Sequence, residues 1–84
     1  MATNEPEILE KVIEIIRQQF PRTKSSEIEM DTRFLDLKLD WHDRWALLQS
    51  IGDHFEMGFE DHEVLLYQAV GDVVREIVAE LDES

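Results

Sequence analysis

The chain is predicted to be all-α: three long helices and one short one in a four-helix bundle with a long first loop. Three observations predict it. Ile8, Leu9, Val12, Ile13, Ile16 and Phe20 fall on one stripe of a helix. Val70, Val73, Val74, Ile77, Val78 and Leu81 fall on another, cleaner one. Between these stripes, Phe20-Pro21, Asp40 and Met57-Gly58 supply the stops and starts that separate helices.

The first helix is predicted over about residues 5–19. Asn4 is its cap candidate, and Glu7 three residues later completes a capping-box pattern. Phe20-Pro21 ends it, because a residue before proline is driven out of helical geometry. A polar connection from Pro21 to Arg33 follows, in which Ile28 and Met30 alternate with acids as an extended stretch anchored to the core would. Asp40 then caps a second helix over about 41–56, carrying Trp41, Trp45, Leu48, Ile51 and Phe55 with Leu47 beside them. Met57-Gly58 breaks it. Asp61 is the cap candidate of a short third helix, about 61–67, bearing Val64, Leu65 and Tyr67. The last helix, about 70–81, is rich in β-branched residues that also suit a strand. A period of two would bury Asp72, Glu76 and Glu80 with nothing to pair them, so helix is expected.

An 84-residue chain is expected to form one domain, with a shallow core, because only about 60% of the unfolded surface is buried at this size. The absence of cysteine excludes disulfides, thiolate metal sites and thiol catalysis, and it fits a reducing compartment. Apolar runs are short, and Glu5 and Glu7 stand where a signal peptide would carry lysines. Neither a membrane span nor a secretory signal is therefore expected, and a cytoplasmic location is the default. Twenty acidic residues against eight basic ones give a net charge of -12, which opposes both nucleic acid and anionic lipid. The same sign suits steering toward a basic protein surface.

Residues Thr32 to Phe55 read TRFLDLKLDWHDRWALLQSIGDHF. The segment resembles the centre of an acyl carrier protein, whose pattern is roughly T-x-F-x-x-D-L-G-x-D-S-L-D followed by an apolar helix ending in Phe. Thr32, Phe34, Asp36, Leu37, Leu39, Asp40, Asp43, Leu47, Leu48, Ile51 and Phe55 fit it, with one residue missing before Asp36 and Lys38 in place of the glycine. From Asp40 the match continues without a gap to Phe59 and to Ala69-Val70, which takes the place of the family's Thr-Val. The resemblance implies an acyl carrier protein-like bundle. It withdraws the family's chemistry, because Trp41 stands where the family's serine holds the phosphopantetheine arm.

An indole offers no nucleophilic oxygen. Ser25, Ser26 and Ser50 carry hydroxyls, but none is followed by the Leu-Asp that completes the attachment motif. No cofactor is therefore expected. His42, His54 and His62 are too far apart in sequence for a helical metal-ligand pair, and no HExxH or calcium-loop pattern occurs. Solvated histidines are the expectation, with the Glu60 to Glu63 cluster attracting divalent ions at most weakly. Carboxylates are too plentiful for any pair to be singled out as catalytic, and no Gly-rich phosphate loop exists, so no catalytic residue is nominated.

By resemblance the second helix is the family's recognition face. Here Ala46 and Gly52 stand where that face carries glutamates, and Arg44 is added nearby. Trp41, His42, Asp43 and Trp45 are the expected partner contacts, tryptophan being enriched among binding hot spots. The alternative is that both indoles fold back over the mouth of the core. The expected function is that of a non-catalytic, monomeric carrier-like protein that binds a protein partner, an enzyme of acyl or peptide assembly among the candidates. A working carrier with an unconventional attachment site, a small acidic adaptor sharing only the fold, and an ion-binding module stay open as alternatives.

Overall fold

The computed structural model describes residues 4–23 and 27–83, the last by its main chain alone. Among them lie four helices, α1 (Glu5–Gln19), α2 (Trp41–Phe55), α3 (Glu63–Leu66) and α4 (Val70–Glu83), and no strand. α1 packs on both α4 and α2, and α3 packs on α2. No helix is long and apolar enough to cross a membrane.

Burial sorts the predicted stripes into an inner and an outer row. In α1 the buried positions are Ile8, Val12 and Ile16, while Leu9, Ile13 and Phe20 are only partly covered. In α4 they are Val70, Gly71, Val73, Val74 and Ile77, with Val78 and Leu81 at the margin. α2 turns Leu47, Leu48, Ile51 and Gly52 inward, and Trp41, Trp45 and Phe55 flank that seam half-buried. Every buried side chain among the described residues is apolar.

Asn4 takes the extended geometry of an N-cap, yet its side chain makes no cap hydrogen bond. Pro6 leaves such a side chain only one of the two amides it can reach, that of Glu7. The complete capping box is at the second helix. Asp43 N–H donates to Asp40 Oδ1 at 2.8 Å, and Asp40 N–H donates to Asp43 Oδ2 at 3.2 Å. α3 is also shorter than expected and is not capped by Asp61. It is one turn starting at Glu63, whose Oε1 accepts the Glu60 N–H at 3.1 Å, and Tyr67 leaves it in an extended conformation.

The first loop is tied to the start of α4 by main-chain bonds. Gly71 N–H donates to the Met30 carbonyl at 2.7 Å, Val70 N–H to Thr32 at 2.9 Å, and Phe34 N–H to Gln68 at 3.0 Å, with an antiparallel bridge pairing Arg33 and Ala69. The loop side chains Ile28 and Phe34 are buried, and Met30 packs against the core from its edge.

Two non-glycine residues adopt left-handed geometry, Lys38 (φ 61°) and Glu56 (φ 56°). Glu56 ends α2, where the Gly52 carbonyl accepts from the backbone N–H of both Glu56 and Met57. Lys38 closes the turn that follows Phe34, and its side chain is exposed. A left-handed L-residue costs about 1–2 kcal/mol, against roughly 0.5–1 kcal/mol of extra chain entropy lost by glycine. Lys38→Gly is therefore expected to stabilise the chain by about 0.5–1 kcal/mol, which raises the melting temperature by a few degrees. A lowered melting temperature would show that the lysine side chain contributes more than its backbone costs.

Candidate functional site

The start of α2 is held firmly because its capping box satisfies the Asp40 and Asp43 amides. Asp40 stands outside the helix at φ -79°, ψ -174°, and the reciprocal bonds with Asp43 fix the direction in which the first helical side chains leave. Trp41 is the first of these. Trp45 lies one turn on, and the two indoles stack with ring centroids 6.2 Å apart and planes 17° from parallel. The His42 ring meets Trp41 edge-on at 5.4 Å, an arrangement that suits the aromatic quadrupoles. The stacked pair rests against the core and keeps part of its surface accessible, so it forms an apolar shoulder beside the core.

The four residues expected to meet a partner thus lie within the first five residues of α2, in different roles. Trp41 and Trp45 form the shoulder and His42 is exposed beside it. The Asp43 carboxylate is already engaged in the cap. Arg44 extends from the same turn, with its Nε donating to the Asp40 carbonyl at 3.4 Å.

Ser50 is partly covered in the middle of α2, beside Ile15, Gln18, Gln19, Asp53 and His54. Ser25 and Ser26 lie outside the described residues. His54 is exposed with its ring edge-on to Phe55 at 4.8 Å. Glu60, His62 and Glu63 bring one ligand atom each within 4.8 Å of one another, on largely exposed side chains. Both Glu63 oxygens already accept hydrogen bonds, Oε1 from the Glu60 amide and Oε2 from Tyr67 Oη at 2.7 Å. The His62 Nδ1 lies 3.3 Å from Glu60 Oε2.

The titration of Tyr67 is clearly displaced. Burial raises the pKa of its phenol most, followed by its hydrogen bond to Glu63 and by the charges of Glu63, Glu76 and Glu80. The folded chain keeps the phenol protonated at a pH where the unfolded chain ionises it. The associated stability is intact below the ordinary tyrosine value of about 10 and declines as pH rises beyond it. Urea midpoints for the native chain are thus expected to fall between about pH 9 and about pH 11 by more than those of Tyr67→Phe. Equal falls would remove Tyr67 as the cause.

Sequence reasoning missed a second feature next to the first. Arg33 and Leu35 from the first loop, Arg44 from α2, Leu65 from α3 and Gln68 line one shallow groove. The signal was present in two places. Leu65 and Leu66 adjoin in a one-turn helix that can bury only one face, and that face is occupied by Val64. Leu35 follows the inward-facing Phe34.

No family model matches the chain, and no curated protein matches it.

Proposed function

We propose that the chain is a carrier-like protein of the acyl carrier type that carries no phosphopantetheine arm and works by protein contact. The observation that carries this reading is the placement of Trp41. It is the first residue of α2, between the two aspartates of the capping box, and by the sequence resemblance it stands where attachment would need a primary hydroxyl. Two further features support it. Lys38, at the glycine position of the family pattern, has the left-handed backbone that glycine best tolerates. The stacked indoles place apolar surface on the helix with which carriers of this type meet their enzymes. An enzyme of acyl or peptide assembly is the class of partner this reading implies.

The test is incubation with coenzyme A and a broad-specificity phosphopantetheinyl transferase, read by intact-mass spectrometry. The expected result is an unchanged mass. A gain of one arm, mapped to Ser25, Ser26 or Ser50, would replace this reading with that of a working carrier. Partner binding gives a second readout. If an indole anchors the contact, Trp41→Ala is expected to weaken binding by about 2 kcal/mol or more, roughly thirtyfold in dissociation constant, while circular dichroism shows the helices retained. Full affinity in a Trp41→Ala, Trp45→Ala double variant would place the contact elsewhere.

A further inference from the structure

The groove between the first loop and α3 differs from the rest of the surface in charge. The chain carries 20 acidic and 8 basic residues, yet two of the arginines line this groove and no carboxylate does. Among the described residues, neither Arg33 nor Arg44 is in an ion pair; the Arg44 side chain makes the long contact to the Asp40 carbonyl. Leu35 and Leu65 line the same groove and keep 75% and 64% of their surface accessible, a large exposure for two apolar side chains in one groove. Leu66, 65% accessible, adjoins Leu65 in α3. Gln68 completes the lining. Its backbone amide and carbonyl are used in the fold, by Asp72 and Phe34, and its side chain is exposed.

We propose that this groove docks an acidic, apolar segment of a partner protein, with its carboxylates on Arg33 and Arg44 and an apolar side chain between Leu35 and Leu65. The choice of occupant follows from charge and shape. A second copy docked by the same face would set arginines against arginines in a symmetric contact. An anionic bilayer is a plane of charge wider than the groove and meets the net charge of -12 as a whole, whereas a short segment meets chiefly the two arginines within a Debye length of about 8 Å. A small amphiphile needs a site that covers most of its surface, and leucines this exposed form the wall of no such pocket. A peptide segment covers open leucines with its own side chains, and the Gln68 carboxamide is placed to bond its backbone. The arginines then give orientation, and the leucines give the apolar contact. The inference rests on residues other than the two indoles and is independent of the proposed function.

The test is selection of short random peptides on the intact chain, followed by fluorescence anisotropy with the enriched peptides. Enrichment of Asp or Glu flanking Leu, Phe or Trp is expected, and Arg33→Glu with Arg44→Glu should weaken those peptides at least about tenfold. Repeating the selection on that charge-reversed variant should enrich Lys and Arg instead. Leu65→Ser tests the apolar half at a side chain 64% accessible, so it carries the test if the double variant fails to fold. In NMR titration, shifts are expected at Leu35, Leu65 and Gln68. The proposal is overturned by enrichment without acidic bias or by no enrichment at all, by affinities unchanged in the variants, or by shifts centred on Trp41 and Trp45. It is also overturned if the wild-type chain self-associates in sedimentation and Arg44→Glu abolishes that association, which would make a second copy the occupant.

Discussion

Phe34→Ala is expected to remove about 3–5 kcal/mol of stability, a large share of the total for a domain of this size. The ring is 2% accessible and is the largest of the fully buried side chains, so its loss leaves a cavity as well as forfeiting its transfer energy. Its main chain is also committed. The Phe34 N–H donates to Gln68, and its carbonyl accepts from Leu37 and Leu39, each at 3.1 Å. The ring therefore holds the turn that presents Arg33 and Leu35, and its truncation should loosen both. Leu35→Ala is the internal control, because its side chain lies outside; a change within about 0.5 kcal/mol is expected. Urea unfolding of the two variants checks this, and a Phe34→Ala cost under about 1 kcal/mol would mean that the neighbouring side chains collapse into the space.

Gly71→Ala is expected to cost about 1–3 kcal/mol, although the same exchange inside an unconstrained helix gains about 1 kcal/mol from propensity. The reversal of sign is what makes the experiment decisive. A Cβ on Gly71 would lie 2.5 Å from the Met30 carbonyl oxygen and 3.2 Å from its carbon, and both atoms belong to backbone that cannot rotate aside. The obstructed oxygen is the acceptor of the Gly71 N–H. Relief must then come from separating the first loop from α4, which stretches the Val70 to Thr32 and Phe34 to Gln68 bonds next to it. Hydrogen exchange at the Val70 and Phe34 amides should accelerate along with the drop in melting temperature. A more stable variant would show that the loop yields without loss.

The all-helical class was legible because period and punctuation are local properties. The α1 and α4 stripes set their own faces, and a strand reading of 70–81 failed on the charges it would bury. The start of α2 was legible for a related reason, since an aspartate before an apolar helix is a cap whatever surrounds it. Contacts between distant segments were not legible. Nothing in the pattern around Gly71 announces that the Met30 carbonyl approaches it, and nothing around Arg33 announces Ala69. The candidate site was legible by half. The residues at the first turn of α2 were identifiable, but the stacking of Trp41 on Trp45 depends on side-chain torsions that spacing does not determine. The arginine-flanked groove draws on three separate stretches of chain, so no single window of sequence contains it.

The pairing of Arg33 with Ala69 has a consequence for how the chain can vary. It closes a ring whose throat is main chain on both sides, and the segment from Phe34 to Gln68, including all of α2 and α3, begins and ends at that throat while its inner side chains join the core. Backbone bonds are indifferent to side-chain identity, so the throat constrains the ring's ends without dictating what the ring displays. The entropy of closing such a ring grows only logarithmically with its length. A few residues added at the exposed stretch from Glu60 to His62 should therefore cost the fold little, whereas one residue added at the throat would put every bond across it out of step. The outer turns are accordingly free to exchange one surface chemistry for another, indole for hydroxyl or arginine for glutamate, while α1 and α4 keep their partnership unchanged.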